Sequence, residues 1–109
     1  MSLLQKYADY LKAGDASRVS SLFTEDAEFY DDGFTKVGLE PVSLKGRDNI
    51  EAFIKGLFSQ AQGGLDVINV AILGNAIRYD IKHGDMVFLA LGVMKEENNL
   101  IKEYRVTVV

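Results

Sequence analysis

The sequence predicts an α+β domain, and two observations support this. Apolar residues recur at helical spacing in three segments of the first half. In the second half, the segments between short turns either alternate apolar and polar residues or are apolar throughout. Helices followed by an antiparallel meander are typical of the α+β class. We expect one domain over residues 1–109, because a chain of 109 residues that is 48% apolar can bury one core.

The three predicted helices have recognisable start and stop signals. The first ends at Gly14, and Asp15 can cap the short second helix. Before the third helix, Asp48 and Glu51 fit a capping box, and Gly63-Gly64 follows its end. We expect this third helix to cover one face of the sheet and to place in the core the residues Phe53, Leu57 and Phe58.

The predicted strands are separated by short turns. The first strand ends at Asp31, and an irregular segment follows it that contains a short strand near Val42 to Leu44. Turns at residues 74–75, 83–85 and 97–99 divide the rest of the chain. The strands between these turns are Leu65–Leu73, Ala76–Lys82, Met86–Lys95 and Leu100–Val109.

The strand MVFLALGVM, Met86–Met94, is apolar on both faces. An antiparallel sheet usually keeps one face in water, so a strand of this kind must be covered on both sides. The helices can cover one side. In so short a chain we expect a second copy to cover the other, which predicts a homodimer through the sheet face.

Composition excludes several classes of function. Twelve basic and 16 acidic residues give a net charge of −4, and the basic residues are scattered, which argues against a nucleic-acid partner. The chain has no cysteine, and its single histidine, His83, lacks clustered partners, so we expect no metal site. No glycine-rich phosphate loop is present, and we expect no cofactor.

We also expect neither a membrane span nor a signal peptide. No apolar run reaches the ~18 residues of a membrane span, and the first 20 residues have no uninterrupted apolar segment of the kind a signal peptide needs. We therefore expect a cytoplasmic protein without a membrane partner.

The stretch DAEFYDDG, residues 26–33, holds the candidate catalytic group. In a strand Ala27, Phe29 and Asp31 share one side, so Asp31 faces the core if Phe29 does. A charge there is costly, and a buried aspartate has a raised pKa. Asp-Asp-Gly is also ordinary turn chemistry, so a solvated turn and a base at a pocket are both open.

Three stretches of the chain carry a family resemblance. They are YADYLKAGDASRVSSLFTEDAEFYDD, residues 7–32, GRDNIEAFIKGLF, residues 46–58, and GVMKEENNLIKEYRVTV, residues 92–108. With the order of elements, they resemble the nuclear transport factor 2-like superfamily, which includes ketosteroid isomerases, SnoaL-like cyclases and limonene epoxide hydrolases. The resemblance implies a cone-shaped, curved antiparallel β-sheet wrapped around the N-terminal helices, the cystatin-like fold.

The isomerase resemblance implies a partial active site. The general-base aspartate falls on Asp31, and the tyrosine that donates to the developing enolate falls on Tyr7. A third group of the family, a protonated carboxylic acid, falls near Ala90 or Leu91, which are both apolar. The expected contacts of a small apolar ligand in the cone are Phe29, Phe53, Leu57, Leu91 and Tyr104.

Two functions from different classes follow from these residues. One is a cofactor-free isomerase or lyase, in which Asp31 moves a proton on an apolar carbonyl compound and Tyr7 stabilises the enolate. The other is a non-catalytic ligand-binding or dimerisation module. Epoxide hydrolysis is rejected, because its Asp-Arg-Asp cluster would have to fall on His83, Ile81 and Val106.

Overall fold

The computed structural model describes residues 2–61 and 64–109, and it contains each predicted helix and strand. The predicted end of the third helix at residues 62–63 lies outside the described residues. The helices are α1 (Leu3–Ala13), α2 (Ala16–Ser21) and α3 (Arg47–Gln60), with a 3₁₀ turn at Gly33–Val37. The strands are β1 (Phe23–Asp31), β2 (Val42–Lys45), β3 (Asp66–Leu73), β4 (Ala76–His83), β5 (Met86–Glu97) and β6 (Leu100–Val108).

The strands form one open, curved sheet in the order β2-β1-β6-β5-β4-β3. The predicted α+β cone is confirmed, but the sheet is mixed and not purely antiparallel, because β1 pairs with β6 in parallel. A parallel pair needs a long crossover between its strands. Here α3 and the whole meander form that crossover, so no hairpin fixes the relative direction of β1 and β6.

The predicted caps are confirmed for the first two helices. Gly14 ends α1 in the left-handed conformation with φ 69°, where a side chain would be strained. The Asp15 carboxylate accepts a hydrogen bond from the Arg18 backbone N–H at 3.0 Å, at the start of α2.

The capping box predicted for α3 is wrong. The helix starts at Gly46 without a side-chain cap, and Asp48 lies in its first turn. The guanidinium of Arg47 donates to the Phe23 carbonyl at 2.9 and 2.6 Å, which holds the helix start against β1. Glu51 does not bond back to the start of the helix. Its carboxylate instead accepts a hydrogen bond from the Ser20 hydroxyl at 2.7 Å.

The core lies between the concave face of the sheet and the helices. α3 packs on β1 and β2, and α1 packs on β3. Of the α3 residues predicted to lie in the core, Phe58 is buried, whereas Phe53 and Leu57 are partly buried at its border. No helix in the described residues is long and apolar enough to cross a membrane.

The outer face of β5 is exposed and apolar. Alternation along this strand turns Ala90 and Met94 inward and leaves Leu91 and Val93 outside, 44% and 51% exposed. The prediction that both faces of the strand are apolar is therefore confirmed. The homodimer, in which a second copy covers the outer face of the strand, stays a prediction.

Candidate functional site

Asp31 ends β1 on the side that faces the core. Ala27 and Phe29 are buried, and Asp31 is partly buried in line with them, between Val42 of β2 and Val106 of β6. The predicted alternation is therefore confirmed, and Asp31 reaches the border of the core at the last residue of the strand.

Two opposing effects act on the Asp31 carboxyl group. Burial raises its pKa, and the Asp32 charge adds to this, while the hydrogen bond from the Gly33 backbone N–H, at 2.7 Å, lowers it. The net pKa is raised. A Cβ at Gly33 would lie 2.9 Å from Val108 Cγ2 and 3.0 Å from Asp31 Oδ1, so a larger residue here would have to shift these side chains.

Asp32 has a structural role. Its carboxylate accepts a hydrogen bond from the Val108 backbone N–H at 2.8 Å, and its own N–H donates to the Val106 carbonyl at 3.1 Å. These bonds fasten the end of β1 to β6. The turn itself thus holds Asp31 in a partly buried position, and its role as a base stays a prediction.

A cluster of three buried tyrosines lies next to Asp31. Tyr7 of α1, Tyr79 of β4 and Tyr104 of β6 are 2%, 3% and 0% exposed. The ring centroids of Tyr7 and Tyr104 are 4.8 Å apart. The Asp31 charge raises the pKa of all three hydroxyls, so the structure brings Asp31 and Tyr7 to one region of the cone.

The tyrosine cluster stays protonated over a wide pH range. Burial raises the pKa of Tyr7 and of Tyr104 well above the usual value of about 10. Burial also raises the pKa of Tyr79, to about 12. Each hydroxyl can therefore act as a hydrogen-bond donor at neutral pH.

Tyr104 is closely packed in the cluster. Its hydroxyl is fully buried and has no partner at regular hydrogen-bond geometry within the described residues, although hydrogen bonding to the Tyr79 hydroxyl contributes to its raised pKa. A Cβ on Gly92 would collide with the Tyr104 hydroxyl and ring, so this glycine makes the room in which the side chain lies.

The sequence did not point to Tyr79. The alternation of Ile77, Tyr79 and Ile81 in β4 could have placed its side chain inside the cone. Its neighbours in the cluster come from α1 and β6, however, and no local pattern shows that these elements meet.

An aromatic row leads outward from the tyrosine cluster. Ring centroids are 5.9 Å apart for Tyr104 and Phe29, 5.6 Å for Phe29 and Phe53, and 5.8 Å for Phe53 and Phe34. Phe53 and Phe34 are partly exposed, so the row runs from the core to the surface. The rings of Phe29, Phe53 and Tyr104 thus lie in one row, with Leu57 partly buried on the same helix as Phe53, and their contact with a ligand stays a prediction.

Leu91 does not line the cone, contrary to the expectation from the sequence. It pairs with Arg78 and Thr107 on the outer face of the sheet, whereas Ala90 beside it faces inward. A strand places successive side chains on opposite faces, so only one of these two positions can reach the interior.

Two cavities open on the surface, and Tyr104 is among the residues that line the first of them. One, of about 310 Å³, follows the outer side of β1, β2 and β6 beside Tyr30 and Arg105, and the other, of about 740 Å³, lies between α2 and α3. Because aromatic rings fill the space around the cluster, a ligand that reaches it has to displace partly exposed side chains such as Phe53. His83 is exposed, and the described residues contain no cluster of acids and histidines that could hold a metal.

The SnoaL-like domain model matches residues 4–106 of the chain. The chain belongs to the SnoaL-like family. Among curated proteins, no sequence matches closely enough to count as a relative.

Solved structures of similar fold include a SnoaL-like protein, one named as an isomerase and a designed protein. A SnoaL-like protein of unknown function from Burkholderia thailandensis is 12% identical, with 97% of this chain and 91% of that chain covered and a TM-score of 0.72. A "putative ketosteroid isomerase" from Kribbella flavida is 16% identical, with 98% and 75% covered and a TM-score of 0.67.

A designed protein also shares this fold. A de novo designed protein with a curved β-sheet is 16% identical, with 98% and 82% covered and a TM-score of 0.70. At these identities the likeness establishes the cone fold alone, and function has to be argued from the residues of the site.

Proposed function

We propose that this SnoaL-like protein binds a small apolar carbonyl compound in its cone and moves a proton on it without a cofactor, in the manner of a ketosteroid isomerase. The observation that carries the proposal is the placement of Asp31. It is a partly buried carboxyl group with a raised pKa, next to buried tyrosine hydroxyls. A base of raised pKa close to neutral hydrogen-bond donors suits the removal of a proton beside a carbonyl group.

In the proposed reaction each residue has a defined role. The Asp31 carboxylate takes a proton from the carbon next to the carbonyl, and the bonding electrons move to the oxygen to form an enolate. Tyr7, which burial keeps protonated, donates a hydrogen bond to that oxygen. Asp31 then returns the proton to the same carbon or to a conjugated one, and Phe29, Phe53, Leu57 and Tyr104 contact the apolar body of the ligand.

The alternative is a binding module without catalysis. It is favoured by the apolar side chain of Ala90, where the isomerases carry their second oxyanion donor. Loss of one such donor typically costs ~10²–10³ in rate, which weakens an enzyme without abolishing it.

Hydrogen exchange on a simple ketone tests the catalytic function. With 3-cyclohexen-1-one in D₂O, we expect the protein to accelerate α-hydrogen exchange and migration of the double bond, both followed by proton NMR. Asp31→Asn should slow exchange by about 10²-fold or more, since a positioned base contributes ~10²–10⁴. Asp32→Asn is the matched control, because it keeps the oxygen that accepts from Val108 and should exchange at the wild-type rate. Exchange no faster than in buffer would leave only the binding module.

We also propose that the protein forms a homodimer through the outer face of the sheet. Support comes from Leu91, Val93 and Val87 of β5, which are 44%, 51% and 56% exposed, and from Ile68 of β3, 37% exposed. Exposed large apolar side chains along one strand are a common feature of interaction sites.

A further inference from the structure

We propose that residues 33–41, which we call the flap, form a gate at the mouth of the cone, and that Phe34 is the side chain that closes it. The flap swings outward to let an apolar ligand pass and then returns to cover it. This inference rests on the proposed binding of such a ligand in the cone and specifies how the ligand enters. It gives a role to a segment that holds none of the proposed catalytic residues.

The ring of Phe34 occupies the outer end of the aromatic row. Its centroid lies 5.8 Å from that of Phe53, with the two planes at 70° in an edge-to-face arrangement. The Phe53 ring in turn lies 5.6 Å from Phe29, which is only 2% exposed, whereas Phe34 and Phe53 are partly exposed. A ligand that enters along the row therefore has to part Phe34 from Phe53 first.

Of these two rings, Phe53 belongs to the better anchored segment. It lies on α3, whose start is bonded to the Phe23 carbonyl through Arg47 and whose buried stripe includes Ile50 and Ile54. Movement of α3 away from the mouth would bring this stripe into water, which is costly. The partner that moves at lower cost is the segment that carries Phe34.

The flap is bonded mainly to itself. Within the described part of the chain, Thr35 donates from its backbone N–H and its hydroxyl to the Asp32 carbonyl, and the N–H groups of Gly38 and Leu39 donate to carbonyls of the same turn. Residues 35–41 are all exposed. Exposed hydrogen bonds and few buried contacts are typical of segments that open locally at low cost, so the flap can move as one unit.

Both ends of the flap are fixed, which makes its motion a hinged one. Asp32, just before it, is bonded to β6, and Val42, just after it, pairs with Asp31 in the sheet. At the first hinge, the Gly33 N–H donates to the Asp31 carboxylate at 2.7 Å. Outward movement of the flap therefore opens the cone beside the proposed base. Lids of this kind move on the microsecond to millisecond timescale.

The binding kinetics of N-phenyl-1-naphthylamine test the gate without any turnover. This neutral dye becomes fluorescent in apolar surroundings, so stopped-flow fluorescence measures its association and dissociation. Entry and exit pass through the same opening step if Phe34 is the gate. Phe34→Ala should then raise both rate constants roughly 3- to 10-fold, as the loss of one aromatic pair implies, and leave the dissociation constant nearly unchanged.

Val37→Ala is the matched control. Val37 lies on the same 3₁₀ turn and is 61% exposed, so both rate constants should stay at the wild-type values. Three results would overturn the gate. They are unchanged rates in Phe34→Ala, faster dissociation alone with weaker binding, which is the effect of a lost wall contact, and no binding of the dye to the wild-type protein.

A measurement on the wild-type protein decides if Phe34→Ala does not fold. We expect ¹⁵N relaxation dispersion to show one shared exchange process at the amides of residues 33–40 and none in α3. The absence of exchange in the flap would contradict the gate.

The gate and the proposed reaction fail separately in these experiments. Dye binding with both rates raised in Phe34→Ala, but without α-hydrogen exchange on the ketone, would retain the gate and remove the catalytic function. Ketone exchange that depends on Asp31, with dye kinetics that do not respond to Phe34→Ala, would retain the enzyme and remove the gate.

Discussion

The stability cost of Asp31 follows from the environment of a single carboxyl group. Its folded pKa is raised because burial disfavours the charged form more than the Gly33 N–H favours it. The folded state therefore binds the proton more tightly than the unfolded state, whose aspartate pKa is about 3.9. It follows that Asp31 lowers the free energy of unfolding as the pH rises from the unfolded pKa through the folded one. The cost is fully present above the folded pKa and absent well below about 3.9.

At the residue scale we therefore expect Asp31→Asn to leave the free energy of unfolding unchanged or to raise it at pH 7. The asparagine oxygen can still accept from Gly33, so the turn is kept. The difference between variant and wild type should shrink towards pH 3, where both side chains are neutral. Urea unfolding at the two pH values measures this, with carboxyl-carbon NMR to follow the titration of Asp31. A variant that is clearly less stable than wild type at pH 7 would show that the charged form is favoured by folding.

At the scale of elements, α3 is held by contacts that differ along its length. Its start is fixed by Arg47, which reaches back to the Phe23 carbonyl, and its buried stripe consists of Ile50, Ile54 and Phe58. Phe53 lies on the neighbouring side of the helix, packed between the rings of Phe29 and Phe34 and partly exposed. The same helix thus stabilises the fold on one side and lines the mouth of the cone on the other.

This division predicts unequal costs for two phenylalanine truncations in α3. Phe58 is 6% exposed, and Phe58→Ala should cost about 3–5 kcal/mol of unfolding free energy. Phe53→Ala should cost clearly less, about 1–3 kcal/mol, because part of the ring is already in water. Chemical denaturation of the two variants checks the order. Equal costs would mean that Phe53 belongs to the core and does not line the mouth.

At the scale of the whole molecule, the sheet separates two kinds of surface. Its concave face holds the tyrosine cluster, and its outer face leaves large apolar side chains in water. An apolar stripe along a central strand of an open sheet is an unusual feature of a monomer, and it accounts for the proposed homodimer.

The homodimer is tested by a charge placed in the outer face. Leu91 lies between Arg78 and Thr107 on that face, so Leu91→Lys should shift the protein to monomers at micromolar concentration. Val37→Lys, at a 61% exposed residue of the 3₁₀ turn, is the control and should not change the mass. Sedimentation equilibrium measures both. A wild-type chain that is monomeric at these concentrations would contradict the homodimer.

The sequence by itself determined the features that depend on neighbours along the chain. Alternation in β1 identified Asp31 and not Asp32 as the aspartate on the core side, because side-chain direction in a strand repeats every two residues. Gly14 and Asp15 marked the helix ends for the same local reason. Only the tertiary structure decided that Glu51 bonds to Ser20, that Leu91 lies outside the cone, and which tyrosines meet. These outcomes depend on strand register and on contacts between distant segments, above all the parallel pairing of β1 with β6, and no short stretch of sequence encodes such a pairing.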